Sequence, residues 1–289
     1  MPSIPPGRGT LPRVSPLDHR TAARVAEQAG RLLVQVRQEG SNQNMSPHAL
    51  GQRADRLANQ LILDQLAEAC PGDAVLSEES PDDSRRLVAD RVWIIDPLDG
   101  TREFRQPGRW DWAVHVALVE AGRPTAAAVA LPALGLVLAT SPSGLVRTPT
   151  GPSGTPVGDT STDGPYRQLL APRATPGRLR LVLSSSRPPP VGRAIQSALG
   201  AEVVLLGSAG AKAMAVVLGQ AEVYAHTGGQ HEWDSAAPVG VAEAAGLHTS
   251  RLDGSSLAYN RPDTWVPDLL ICRPELANQV VRAAAEWGR

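Results

Sequence analysis

A single lysine, a single phenylalanine and two cysteines stand in 289 residues. The two thiols, Cys70 and Cys272, have no metal-ligand spacing around them. That excludes a cysteine zinc site and a disulfide framework and leaves two buried free cysteines. No run of about 18 apolar residues exists for a membrane span. The opening MPSIPPGRGTLPRVSP also lacks the apolar core of a secretory signal, so a cytoplasmic chain with a flexible N-terminal arm over 1–17 is expected. Charge of one sign is missing too: 28 basic and 29 acidic residues leave a net charge of −1. Such a balance offers no field for nucleic acid and no like-charged tail, so any phosphate binding has to be local.

What is present is a 42% hydrophobic content, enough for a full core in one large domain or two ordinary ones. Every basic residue but one is arginine, and the exception, Lys212, sits in GSAGAKAM. The lone phenylalanine, Phe104, closes WIIDPLDGTREF. Both scarce residues fall in segments that carry suspect chemistry, where a compact cation such as Lys212 has its own uses.

Apolar spacing predicts a helix from Ala22 to Glu39 stopped by Gly40, and a second through ADRLANQLILDQLAEACPG. Asp55 is then expected at the start of that second helix, where a carboxylate suits the macrodipole. AVLS and RVWII read as strands ending on Glu78–Glu79 and Asp96, and WAVHVALVE, TAAAVALP and LGLVLAT as an antiparallel meander. Residues 141–177 are rich in Gly, Pro, Ser and Thr, as in a linker or loop. Strand and helix patterns alternate afterwards up to a last helix from Pro274 to Trp287. The expected organisation is an α+β lobe over 18–145, a linker over 146–177 and an α/β lobe over 178–289. The cleft between the lobes is the default site.

The chemistry centres on residues 93–104. Asp96 and Asp99 flank Pro97, which fixes its own φ and extends the residue before it. Two unpaired carboxylates held close repel each other unless a cation intervenes. Mg²⁺ suits them, because it takes oxygen ligands and commonly shares them with substrate phosphate. Glu78 or Glu79 offers a third acid and Asp234 a fourth. Four acids without a basic residue in their motifs point to more than one ion and so to two-metal phosphoryl chemistry. Thr101, bonded to an acid such as Asp55, would orient the attacking water. Taken alone, DPLDG is only a favoured turn sequence; the acids elsewhere in the chain are what set that reading aside.

These segments, SEES at 77–80, WIIDPLDGT at 93–101 and WDSAAP at 233–238, resemble the lithium-sensitive, Mg²⁺-dependent phosphomonoesterases. That group contains inositol monophosphatases, fructose-1,6-bisphosphatases and 3′(2′),5′-bisphosphate nucleotidases. The resemblance runs from Ala22 onward and implies an αβαβα layered sandwich and a homodimer. It implies metal ligands at Glu78, Asp96, the Leu98 carbonyl, Asp99 and Asp234, with Asp96 bridging two ions and Glu79 available for a third. Thr101 and Asp55 match the pair that activates water, although Arg53 stands where a threonine is common. Asp99, Gly100, Thr101 and Asp234 would also face the substrate phosphate.

Within the group, GDAVLSEES, GSAGAKAMAV, GGQHEWDSAAP and SSSRPPP look most like bisphosphate nucleotidases of the actinobacterial type. The implied reaction removes the 3′-phosphate of 3′-phosphoadenosine 5′-phosphate; an inositol phosphate, fructose 1,6-bisphosphate, or binding without turnover are the alternatives. A nucleotide with two phosphates needs a second anchor, expected at Lys212 and Arg187. GSAGAK is too short for a Walker loop, but Ser208, Gly210 and Ala211 are expected to present a helix N-terminus to phosphate. His226 is expected to touch substrate and His231 to face solvent. Trp93, Trp110, Trp112 and Trp233 are expected in the core rather than on a base.

Overall fold

A computed structural model of the chain describes residues 14–149, 167–169 and 177–287. Helix α1 (Pro16–Asn42) begins at Ser15, whose hydroxyl and the Asp18 carboxylate form a capping box. It runs through Gly40 rather than stopping there. Helix α2 (Pro47–Ala69) starts well before the periodic segment, because Ser46 caps it and Pro47 takes the first helical position. Asp55 therefore lies in the body of α2 and not at its start, which removes the expected macrodipole contact. Most of the arm expected over 1–17 lies outside the described residues, and Pro16 and Leu17 already belong to α1.

Next come β1 (Ala74–Ser77), β2 (Arg91–Asp99), α3 (Thr101–Phe104), β3 (Ala113–Glu120), β4 (Arg123–Leu131), β5 (Leu136–Ser141), β6 (Gly144–Pro149) and β7 (Arg167–Leu169). They form one sheet in simple sequence order, β1 parallel to β2 and the rest antiparallel. The meander is as expected. Strand β6 carries this sheet into the stretch read as linker, and β7 pairs with it. The rest of the expected linker, 150–166 and 170–176, lies outside the described residues.

The second lobe holds β8 (Arg180–Ser184), α4 (Val191–Leu199), β9 (Glu202–Leu206), α5 (Ala209–Val217), β10 (Val223–His231), α6 (Glu232–Ala244), β11 (His248–Ser250), β12 (Trp265–Cys272) and α7 (Ala277–Trp287). Its sheet order is β11-β12-β10-β8-β9, with β8 parallel to both β9 and β10. The carboxyl ends of β8, β9 and β10 thus share one edge, the usual place for a ligand in such a sheet.

Alternation along the strands sorts side chains into three apolar layers. Trp93 and Ile95 face α1 and α2, whereas Val92 and Ile94 face inward to α5 and α6. The other face of the second sheet packs on α4 and α7 through Leu181, Leu183, Ile195 and Val280. The result is the αβαβα sandwich, with both sheets closing on α5 and α6. Buried Arg86 joins the lobes, paired with Asp82 at 2.6 Å and donating to the Asn260 side chain at 2.8 Å and the Arg261 carbonyl at 3.0 Å. Among the described residues no helix is long and apolar enough to cross a membrane.

Candidate metal centre and active site

Residues three apart on a regular strand point to opposite faces. Asp96 pairs with His115 and Asp99 with Ala113, so β2 spends three steps where β3 spends two. The surplus residue is a bulge at Pro97–Leu98, and it brings Asp99 round to the face that Asp96 occupies. Leu98 goes to the outer apolar layer instead. Gly100 (φ +87°) then turns the chain into α3. From the other lobe, Asp234 stands in the first turn of α6, its Oδ2 accepting the His231 amide at 2.6 Å. Single oxygens of Asp96, Asp99 and Asp234 lie within 4.8 Å of one another.

The electrostatics of this cluster fit a missing positive charge. Asp96 is buried and accepts the Leu98 amide at 3.0 Å; its Oδ2 has no backbone or cationic donor, and the Glu78 carboxyl can bond it only by holding a proton. Burial, reinforced by Glu78, Asp99 and Asp234, pushes its carboxyl well above the usual range. Glu78 is solvent-accessible at the end of the β1 turn, yet its carboxyl lies against these acids. Desolvation and the charge of Asp234 push it up to about 7. Asp234 is raised to about 6 by burial and by Asp99. An orphaned buried carboxylate oxygen within an all-oxygen donor set suits a hard divalent cation.

Asp99 behaves differently. Burial acts to raise it, but His115, Lys212 and the Gly210 amide hold it below the usual range. His115, from the middle of β3, is fully buried. Its Nδ1 lies 3.0 Å from the Trp233 carbonyl and its Nε2 3.2 Å from Asp99 Oδ2. Burial lowers its pKa, but the charge and hydrogen bond of Asp99, the Trp233 carbonyl and the charge of Asp234 together hold it above the usual imidazole value. The sequence reading missed this residue, although a histidine inside the apolar run WAVHVALVE was its trace. Gly210 has to be glycine here, because a Cβ would stand 2.2 Å from His115 Nε2.

The helix expected to bind phosphate is engaged within the protein. The Ala209 and Gly210 amides donate to Asp99 at 3.2 and 2.6 Å, and the Ala211 amide donates to Ser208 Oγ at 3.0 Å. The Ser208, Gly210 and Ala211 amides are therefore all engaged within the protein, the first on the Asp111 carbonyl at 3.2 Å, and the anion that meets this helix end is Asp99. Lys212 is also turned inward. It is 3% exposed, donates to the Gly207 carbonyl and lies 5.5 Å from the Tyr224 ring centroid. Burial lowers its pKa, while Asp99, Glu103, Asp234 and Asp111 act to raise it. The expected second phosphate anchor is thus an internal counter-charge.

Thr101 opens α3 with its hydroxyl 3.2 Å from the Leu98 carbonyl and 3.4 Å from Asp55 Oδ1. Its one proton serves only one of them at a time. Desolvation and the charge of Glu79 push Asp55 up to about 6, against Arg105 and Thr101. Arg53 points away from this pair and bonds Glu39 at 2.9 Å. The turn holding Glu78 and Glu79 is pinned to α2: the Glu79 amide donates to Ser77 Oγ, which donates to Asn59 Oδ1 at 2.8 Å.

At the open edge of the second sheet, Arg187 is exposed in the loop after β8. His226 lies half-buried beside it, its Nε2 3.0 Å from the Gly229 carbonyl and its Nδ1 buried without a partner. Burial, with Lys212 and Arg187 nearby, keeps its pKa low. His231 does not simply face solvent, as expected. Its ring stacks on Trp233 at 4.6 Å and meets Trp265 edge-on at 5.5 Å. Trp93 and Trp112 are core residues.

A layered αβαβα sandwich that gathers acids from two lobes around a place for a hard cation is a recognisable class of protein. The chain belongs to the inositol monophosphatase family, whose model matches residues 17–287. A 3′-phosphoadenosine 5′-phosphate phosphatase of Mycobacterium bovis is 52% identical over 267 residues, 90% of this chain and 91% of that one. The 3′(2′),5′-bisphosphate nucleotidase CysQ of Escherichia coli K12 is 28% identical over 74% of this chain and 80% of its own. In fold, CysQ of Bacteroides thetaiotaomicron superposes with a TM-score of 0.76 at 24% identity, over 89% of this chain and 97% of that one.

Proposed function

We propose that the chain is a metal-dependent phosphatase that removes the 3′-phosphate of 3′-phosphoadenosine 5′-phosphate, giving AMP and inorganic phosphate. One observation carries the reading: Asp96 and Asp99 of the first lobe meet Asp234 of the second at a single point, with the Thr101–Asp55 pair beside them. The nucleotide is supported by the 52% identical mycobacterial relative. Membership of the family supports dependence on a metal, and the oxygen-only donor set supports Mg²⁺. Glu78, Asp96, Asp99, Asp234 and the Leu98 carbonyl would hold it. Bound there, Mg²⁺ supplies charge for the phosphoryl oxygens and makes water a better nucleophile.

The chain's own residues do the rest. Thr101 Oγ1 accepts a hydrogen bond from the attacking water and passes its own proton toward Asp55. Asp55, at about 6, is ionised at neutral pH yet basic enough to take that proton. Arg187, exposed at the carboxyl edge of β8, takes over as anchor for the second phosphate now that Lys212 is committed inside. The ion count does not follow from charge alone, because His115 and Lys212 stand beside Asp99; calorimetric titration with Mg²⁺ reads it directly.

The test is phosphate release from 3′-phosphoadenosine 5′-phosphate, inositol 1-phosphate and fructose 1,6-bisphosphate, each with and without Mg²⁺. The expected result is metal-dependent release with the highest kcat/KM on the nucleotide. Absence of metal-dependent turnover of the nucleotide ends the proposal, and tight binding of it without turnover would make the chain a binder.

A further inference from the structure

Trp265 opens β12 opposite His231 of β10. Counting along β12, it shares the face of Leu269 and Ile271, which point into the core between the sheets. Helix α6, with Asp234 in its first turn, packs on that same face. Trp265 lies beyond the end of the core, and its side is 47% exposed. An indole left that open is usually mobile or covered, but this one is braced from below. Gly228 and Gly229, both left-handed (φ +90° and +85°), sit where the β10–β12 register breaks between Thr227 and Gln230. The ring lies directly on Gly229: a Cβ there would stand 1.6 Å from Cζ2 and 1.9 Å from Cη2.

The seat itself is held in place. The Gly229 carbonyl meets His226 Nε2 at 3.0 Å. The His231 ring, edge-on to the indole, is fixed by Trp233 and by Thr264 Oγ1 at 2.9 Å from its Nδ1. The backbone amide of that same His231 bonds the Asp234 carboxylate. A π-surface with one face on glycine and part of its area open to water therefore stands against His231, whose own amide bonds one acid of the cluster. Rigid aromatic faces bind flat rings at low entropic cost, and stacking needs no charge, which matters beside a cluster of carboxylates.

Resting on the phosphatase reading above, we propose that Trp265, seated on Gly229, is the platform on which the purine base of the nucleotide stacks, and so a specificity-determining residue. The chemistry of the substrate agrees: the base and the 3′-phosphate hang from one ribose, so a base platform has to lie beside the metal centre.

The test compares W265A, W265L and W265F with the wild-type chain in Mg²⁺. Calorimetry reads the affinity for AMP and for ribose 5-phosphate, which lacks the base, and steady-state kinetics reads KM and kcat on 3′-phosphoadenosine 5′-phosphate. Loss of one stacking partner should weaken AMP binding about tenfold in W265A and W265L. Ribose 5-phosphate should bind as before, the nucleotide KM should rise in parallel with little change in kcat, and W265F should recover most of the loss. Equal weakening of AMP and ribose 5-phosphate, or unchanged AMP binding, overturns the platform. W265L keeps apolar bulk on Gly229, so a folding defect confined to W265A leaves the test intact. A wild-type chain that neither binds nor hydrolyses the nucleotide fails the phosphatase reading instead.

Discussion

The two lobes build the candidate metal centre by different means. In the first, one contiguous stretch does most of the work: a bulged strand end delivers Asp96 and Asp99 to one face and Thr101 follows at once. In the second, residues distant in sequence compensate for that concentration of charge. One helix, α5, brings both the amides that meet Asp99 and the cation Lys212, another, α6, brings the further acid Asp234, and His115 of the first lobe reaches across to the Trp233 carbonyl beside Asp234. Reactive groups can be carried by a local motif; the groups that make it tolerable to bury them have to be assembled in space.

The largest effect should come from setting the lobes against each other directly. D96N and D234N should each lower kcat/KM by about 10²–10³-fold, the scale for a well-placed electrostatic group. Near-normal activity of D234N would mean that the second lobe supplies only support. A smaller effect should appear in the pH profile. Asp55 has to be ionised to take a proton, so kcat/KM should fall about tenfold per unit below about pH 6. With Mg²⁺ saturating at every pH, so that Glu78 and Asp234 are ionised, D55N should be slow and lack that limb, and a limb unchanged in D55N would assign it to another group.

The smallest effect separates the lobes by stability. Glu78, Asp96 and Asp234 hold protons more firmly in the folded chain than a free carboxyl does, and Asp99 alone runs the other way. At these sites the folded state therefore binds more protons than the unfolded one, and in metal-free protein their contribution to stability is lost as pH rises from about 4 to about 7. Thermal melts should show Mg²⁺, at about a hundred times its Kd, raising Tm by about 5 °C or more at pH 8 and by less at pH 5.5. An equal rise at both values would show that the ion does not relieve these carboxyls.

Much of this was legible from residue order. The long helices and the antiparallel meander followed from periodicities that tertiary packing did not override, whereas the αβαβα layering came with the family resemblance; Asp96, Asp99 and Asp234, which the motifs set far apart in sequence, lie together. The start of α2 was misjudged because apolar spacing outweighed Ser46–Pro47, a cap written plainly in the chain. The fate of Ser208, Gly210, Ala211 and Lys212 was not legible in the same way. A helix N-terminus and a lone lysine look alike in sequence whether they meet an external phosphate or an internal carboxylate. His115 and Trp265 escaped for a related reason: each matters through what the fold sets beside it, an aspartate in one case and a glycine in the other.

The surplus residue at Pro97–Leu98 has one more consequence. Removing it, or adding another, would keep every acid in the chain but rotate Asp99 into the greasy layer that Leu98 now fills. A deletion of one amino acid there would dismantle the cluster without altering the charge of the protein, so the length of this strand end matters as much as the acids it carries.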